Sequence, residues 1–203
     1  SPAARLKRSP VRIELSRLTV KQYRNAVADL LSPPGETPRW DERRGLRSEY
    51  FQGGGRRFRE DRRILERLSP TLDARYGSGS PSERINPEEF SIRWSGGLFA
   101  PETGVYEIAL EVANGVRLWL NDQTKPLIDA AVRSGDDTTY RERILLLGGR
   151  TYPLRVEFAK TKQDKNAAIS LRWKPPQRSE ELVPERMLSP LKFPEITLLQ
   201  TPF

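Results

Sequence analysis

Hydrophobic residues recur at every second position along much of this chain. Phe90, Ile92 and Trp94 form one row, with Ser91, Arg93 and Ser95 between them. Tyr106, Ile108, Leu110 and Val112 form another, with Glu107 and Glu111 opposite, and Val116, Leu118 and Leu120 continue the pattern. Leu154, Val156 and Phe158 repeat it, as do Ile169, Leu171 and Trp173. An extended chain turns successive side chains to opposite faces, so each row predicts a half-buried strand. Leu46–Phe51 predicts a first strand, closed by Gly53, Gly54 and Gly55. No Lys-Ser/Thr pair follows those glycines, so they make a turn and not a phosphate loop. Ile144–Leu147 is continuously apolar and predicts a strand covered on both faces. Residues 56–84 are charged and punctuated by Gly, Ser and Pro, and read as mostly loop with a helical turn over Arg62–Leu68. Short strands joined by turns such as Ala113–Gly115 predict an all-β, two-sheet antiparallel sandwich or barrel.

One segment has a different period. Thr19 and Gln22 have capping-box spacing, and Val20, Tyr23, Val27 and Leu30 follow at helical spacing until Ser32, Pro33, Pro34 and Gly35 stop the run. A short amphipathic helix is therefore expected over about Thr19–Leu31. The outward rows of the strands carry Arg93, Arg117, Arg155 and Arg172 with Glu107, Glu111 and Glu157. Opposite charges on adjacent strands predict cross-strand pairs rather than an acid/base dyad. Trp119 falls on the outward face with Arg117 and Asn121, and is expected to lie under a covering loop.

Composition narrows the chemistry. The 203 residues contain neither histidine nor cysteine, which excludes a Ser-His-Asp triad, a thiol nucleophile, a disulfide and His- or Cys-ligated metals. No apolar run approaches the ~20 residues that span a bilayer. The chain carries a net charge of +8, concentrated at the N-terminus, where residues 1–24 hold Arg5, Lys7, Arg8, Arg12, Arg17, Lys21 and Arg24 against Glu14 alone. Such an arm reads as a solvated terminus, with nucleic acid, an anionic lipid surface or an acidic polymer as alternative contacts. The body lacks the interleaved aromatic and basic residues of an RNA-binding sheet, so nucleic acid is not expected as a partner. The chain begins Ser1-Pro2 and is read as a piece of something longer.

Seven segments, GLRSEYF (45–51), FSIRWSG (90–96), PETGVY (101–106), GVRLWLND (115–122), YPLRVEF (152–158), AAISLRW (167–173) and VPERMLSP (183–190), occur in the order of one known family. Together they resemble the β-sandwich domain named from the anthrax protective antigen, found in glycosidases, adhesins and flocculins. The resemblance implies a two-sheet sandwich that binds carbohydrate. In the adhesin branch two adjacent aspartates hold a calcium ion that coordinates sugar hydroxyls, and here Ala113 and Asn114 occupy those positions. Alanine supplies no side-chain oxygen to an ion that takes 6–8 of them, which counts against calcium. Asp136 and Asp137 are adjacent but lie in a later loop and read as a turn. Segment 17–31 (RLTVKQYRNAVADLL) is similar to a helical module of large secreted planctomycete proteins that also carry cytochrome c domains. That second resemblance implies a parent protein that is secreted, periplasmic or at the cell surface.

The expected organisation is a basic arm (1–16), a helical module (17–35), the sandwich (45–190) and an extended tail (191–203) leading to a further domain. The favoured function is non-catalytic glycan binding by loops at one end of the sandwich. Asn114, Gln163, Asp164, Lys165 and Asn166 are the candidate contacts, and Lys162 with Lys165 would meet an anionic glycan. Asn114 and Asp164 are the candidate metal pair, calcium the candidate ion, and no other cofactor is expected. A structural or protein-interaction spacer is the alternative. A hydrolase is disfavoured because no pair of carboxylates stands out.

Overall fold

The computed structural model describes residues 43–54, 58–131 and 138–196 of the chain. The basic arm, the helix expected over Thr19–Leu31, the Asp136-Asp137 pair and residues 197–203 of the tail lie outside the described residues. Twelve strands follow in order: β1 (Leu46–Gln52), β2 (Arg63–Ser69), β3 (Asp73–Gly77), β4 (Phe90–Ala100), β5 (Gly104–Val112), β6 (Gly115–Leu120), β7 (Ile128–Ala130), β8 (Thr139–Leu146), β9 (Arg150–Lys160), β10 (Ala167–Lys174), β11 (Glu181–Leu182) and β12 (Leu188–Ser189). Seven form one sheet in the order β2-β1-β4-β9-β6-β7, with β12 added to β4; five form the other, β11-β10-β5-β8, with β3 added to β10. Every pairing among them is antiparallel.

The alternating rows become the filling between the sheets. Ile92, Trp94, Val116, Leu118, Val156 and Phe158 from the larger sheet meet Tyr106, Ile108, Leu110, Ile169, Leu171 and Trp173 from the smaller one in a single buried cluster. Aromatic edges interlock within it: Trp94 meets Phe158 at 6.3 Å between ring centroids, and Tyr106 meets Trp173 at 5.5 Å. Burial of this apolar surface is the main stabilising term, at roughly 25 cal/mol per Å² removed from water.

The outward rows pair across strands as expected. Arg93 lies opposite Glu157 in the β4–β9 register at 3.5 Å, Arg117 reaches Asp129 at 2.9 Å and Arg172 reaches Glu111 at 3.5 Å. Trp119 is buried, but its cover is a side chain as much as a loop. The Arg155 guanidinium lies 4.0 Å from the ring centroid and is held there by a bond to the Gln123 carbonyl at 3.1 Å.

Two expectations fail. Arg62–Leu68 is not a helical turn: Glu60–Arg62 forms one 3-10 turn, and β2 then pairs along β1. Its charged residues looked like loop because β2 is an edge strand whose arginines and glutamates bind across to β1, Arg63 to Glu49 at 2.8 Å and Arg47 to Glu66 at 2.9 Å. Ile144–Leu147 is likewise not covered on both faces. Strand β8 pairs with β5 at the rim of the smaller sheet, Leu145 is half exposed opposite the exposed Val105, and only Leu146 is buried.

The start of β1 depends on one glycine. Gly45 has φ +100°, and a Cβ there would sit 2.3 Å from the Ser69 carbonyl oxygen. Gly45→Ala is expected to destabilise the domain by about 1–3 kcal/mol, the cost of a strained backbone position, read as a lower unfolding midpoint in urea.

Acid sensitivity has a local source. Partial burial opposes ionisation of Glu180, but hydrogen bonds from Arg172 and Arg141, both at 2.9 Å, outweigh it and hold the carboxyl below its ordinary range. A depressed folded value stabilises above the unfolded pKa, and that contribution is lost as pH falls through the folded value. The gap in melting temperature between wild type and Glu180→Gln is therefore expected to be largest near neutrality and to close below about pH 4.

Candidate functional site

Among connections whose residues are all described, three cross from one sheet to the other at the same end of the sandwich. Residues 78–89 lead from β3 to β4, Ala113 and Asn114 lead from β5 to β6, and residues 161–166 lead from β9 to β10. All the candidate residues named from the sequence lie in the second and third of these connections.

Asn114 joins the two. Its side chain is buried at 3% exposure; Nδ2 donates to the Asn166 carbonyl at 2.8 Å, and Oδ1 accepts from the Ala168 amide at 3.3 Å. Both ends of the amide are used, so Asn114 positions the 161–166 loop and its side chain does not face a ligand. Asp164 closes that loop from within. Its Oδ2 accepts from the Thr161 amide at 2.8 Å and from the Thr161 hydroxyl at 2.9 Å, while its own amide donates to the Thr161 carbonyl at 3.0 Å. This is an Asx-type turn, which presents Lys162 and Gln163 at its corner. Lys162, Gln163, Lys165 and Asn166 are all exposed.

These donors do not fit calcium. Ala113 offers no side-chain oxygen, the Asn114 amide is committed to the backbone, and Asp164 spends one oxygen on Thr161. Among the described residues, no group of three or more Asp or Glu side chains converges as a metal site. The arrangement offers instead a rim of ammonium, amide and carboxylate groups suited to hydroxyls.

The structure adds one residue that the sequence reading passed over. Lys160 ends β9 at 3% exposure, and its ammonium donates to the Pro87 carbonyl of the 78–89 connection. With Ser78, Glu88, Lys162 and Asp164 it lines a cleft of ≈ 300 Å³. The signal was present: Lys160 continues the inward row Leu154, Val156 and Phe158, where an apolar residue is expected. A second depression of ≈ 280 Å³ lies beside Ala113 and includes Asp73, Arg75 and Glu111.

Comparison with known proteins agrees with this architecture. The family described as PA14 domain matches residues 42–186. Anti-sigma-I factor RsgI3 of Acetivibrio thermocellus is 28% identical over 146 residues, which is 72% of this chain and 21% of that protein. The chain thus spans about a fifth of that curated relative. An anti-sigma factor domain-containing protein from Clostridium clariflavum superposes with a TM-score of 0.63 at 26% identity, covering 77% of this chain and 50% of the other. The Epithelial Adhesin 6 A domain of Candida glabrata, solved in complex with Galβ1-3GlcNAc, shares the fold at a TM-score of 0.60 and 12% identity, covering 81% and 94% of the two chains.

Proposed function

Because the chain belongs to the PA14 domain family, we propose that it is a non-catalytic carbohydrate-binding module of a larger secreted protein, with the glycan held by the tip loops and without calcium. The observation that carries this reading is the convergence of three described sheet-crossing loops on one end, with Asn114 bracing the exposed 161–166 turn. Gln163, Lys165 and Asn166 are the contacts, because their polar groups stand at the surface of a braced loop. The Epithelial Adhesin 6 A domain, a protein of the same fold, binds a galactoside, which supports the glycan reading.

Catalysis is not part of the proposal. A glycosidase needs a carboxyl raised into service as an acid, whereas Asp122 and Glu180 both shift downward. The Lys125 amide and the Thr124 hydroxyl and amide hold Asp122 down, and arginines hold Glu180 down. Glu49, Glu107 and Glu157 are tied to arginines on the sheet faces.

Affinity electrophoresis of the protein through gels of neutral and acidic polysaccharides tests the reading. Retardation by at least one polymer, unchanged by EDTA and removed by Gln163→Ala with Asn166→Ala, is expected. Uniform mobility in every gel would exclude it. A spacer role has one observation in its favour, the exposed Val105–Leu145 pair on β5 and β8, and predicts that uniform mobility.

A further inference from the structure

Strand β9 ends with a charge where its pattern calls for an apolar side chain. Leu154, Val156 and Phe158 turn inward; Lys160 is next in that row, lies opposite the buried Phe90 in the β4 register, and is itself 3% exposed. A lysine ammonium has three donors. Here one carbonyl, that of Pro87, accepts from it, and among the described residues no carboxylate pairs with it. Taking a cation out of water without a counter-ion is costly, and a lysine stem is flexible enough to reach solvent had the fold left it room. Lys160 lines the cleft between the 78–89 and 161–166 connections, as does Lys162.

We propose that this cleft is an acid-recognising subsite that takes the carboxylate of a uronic-acid residue in a glycan, with Lys160 as its buried counter-ion and Lys162 as a second donor at the rim. The inference rests on the glycan-binding reading above and adds the chemical class of one sugar. The acids of the cleft do not cancel the Lys160 charge. Asp164 turns Oδ2 to Thr161, and Glu88 stands exposed at the rim, where its oxygens suit sugar hydroxyls. The Ser78 hydroxyl completes a lining of mixed donors and acceptors.

β-1,4-Oligomannuronate and β-1,4-manno-oligosaccharide of equal length differ only by carboxylate against hydroxymethyl on each ring. Calorimetric titration of both into the protein, in EDTA, reads the subsite directly. About tenfold or tighter binding of the mannuronate is expected, the scale of one charge-assisted hydrogen bond. Lys160→Met, which replaces the ammonium with an apolar chain of similar length, is expected to melt no lower than wild type and to abolish the preference. Lys162→Ala, at an exposed position, is expected to weaken mannuronate binding with the melting temperature unchanged. Equal binding of the two probes by wild type overturns the subsite and leaves glycan binding standing. Retained preference in a folded Lys160→Met protein overturns it as well, and binding of neither probe overturns the subsite while the gels decide the glycan reading. Should Lys160→Met not fold, the wild-type comparison and Lys162→Ala decide the matter.

Discussion

Trp173→Ala is expected to lower the free energy of unfolding by about 3–5 kcal/mol, the range for deleting a large buried aromatic. Trp173 is 1% exposed on β10, packs its ring on Tyr106 at 5.5 Å, and donates through Nε1 to Glu181 at 3.2 Å. Alanine would open a cavity between the sheets, remove the aromatic pair, and leave the short β11 pairing at Trp173 and Glu181 without its side-chain tie. In a domain of this size each kcal/mol corresponds to about 2–4 °C, so the melting temperature should fall by roughly 6–20 °C. Arg143→Ala is the control. Its side chain is 76% exposed and its pairing with Glu107 is on the surface, so the change should stay within about 0.5 kcal/mol. Comparable losses in the two variants would mean that the sheets are not packed through Trp173.

Asn114→Ala is expected to damage stability and binding together. It removes both bonds that brace the third crossing and leaves the Asn166 carbonyl and the Ala168 amide without their side-chain partner. Each stranded group costs about 1–3 kcal/mol, so a total of about 2–6 kcal/mol is expected. The 161–166 loop loses its anchor, and glycan retardation should vanish although no contact residue has changed. Asn114→Asp separates the two bonds, because a carboxylate still accepts from Ala168 but cannot donate to Asn166. Its uncompensated charge faces the Asn166 carbonyl oxygen in a buried site, so at neutral pH it should melt no higher than the alanine variant. Full binding by Asn114→Ala would show that the loop holds its shape without the brace.

The sandwich was legible because its core obeys a period of two. Wherever three or four apolar residues alternated with polar ones, as at Phe90–Trp94 or Tyr106–Val112, a strand of the filling stands there. Strand β2 escaped because an edge strand needs only one partner, and its residues Arg63, Glu66 and Arg67 have the composition of a loop. Ile144–Leu147 misled for the converse reason, since a continuous apolar run says nothing of position within a sheet, and β8 lies at the rim. The candidate tip was read from the resemblance at positions 113–114 and from the polarity of 161–166, neither of which says which side chains turn outward. Asn114 reads as a typical exposed turn residue, and is buried because two crossings meet over it. Lys160 reads as the polar end of a strand, and is buried because the 78–89 connection folds across it.

Chemical-shift mapping tests the central claim, recognition by the crossing loops at one end, most directly. Isotopically labelled protein would be titrated with the polysaccharide fragment that retards it most. The account predicts shifts concentrated at Lys162–Asn166 and at residues 78–89, with the far-end turns at 101–103 and 147–149 unmoved. Shifts centred on those far turns, or on the outer face of either sheet, would contradict it.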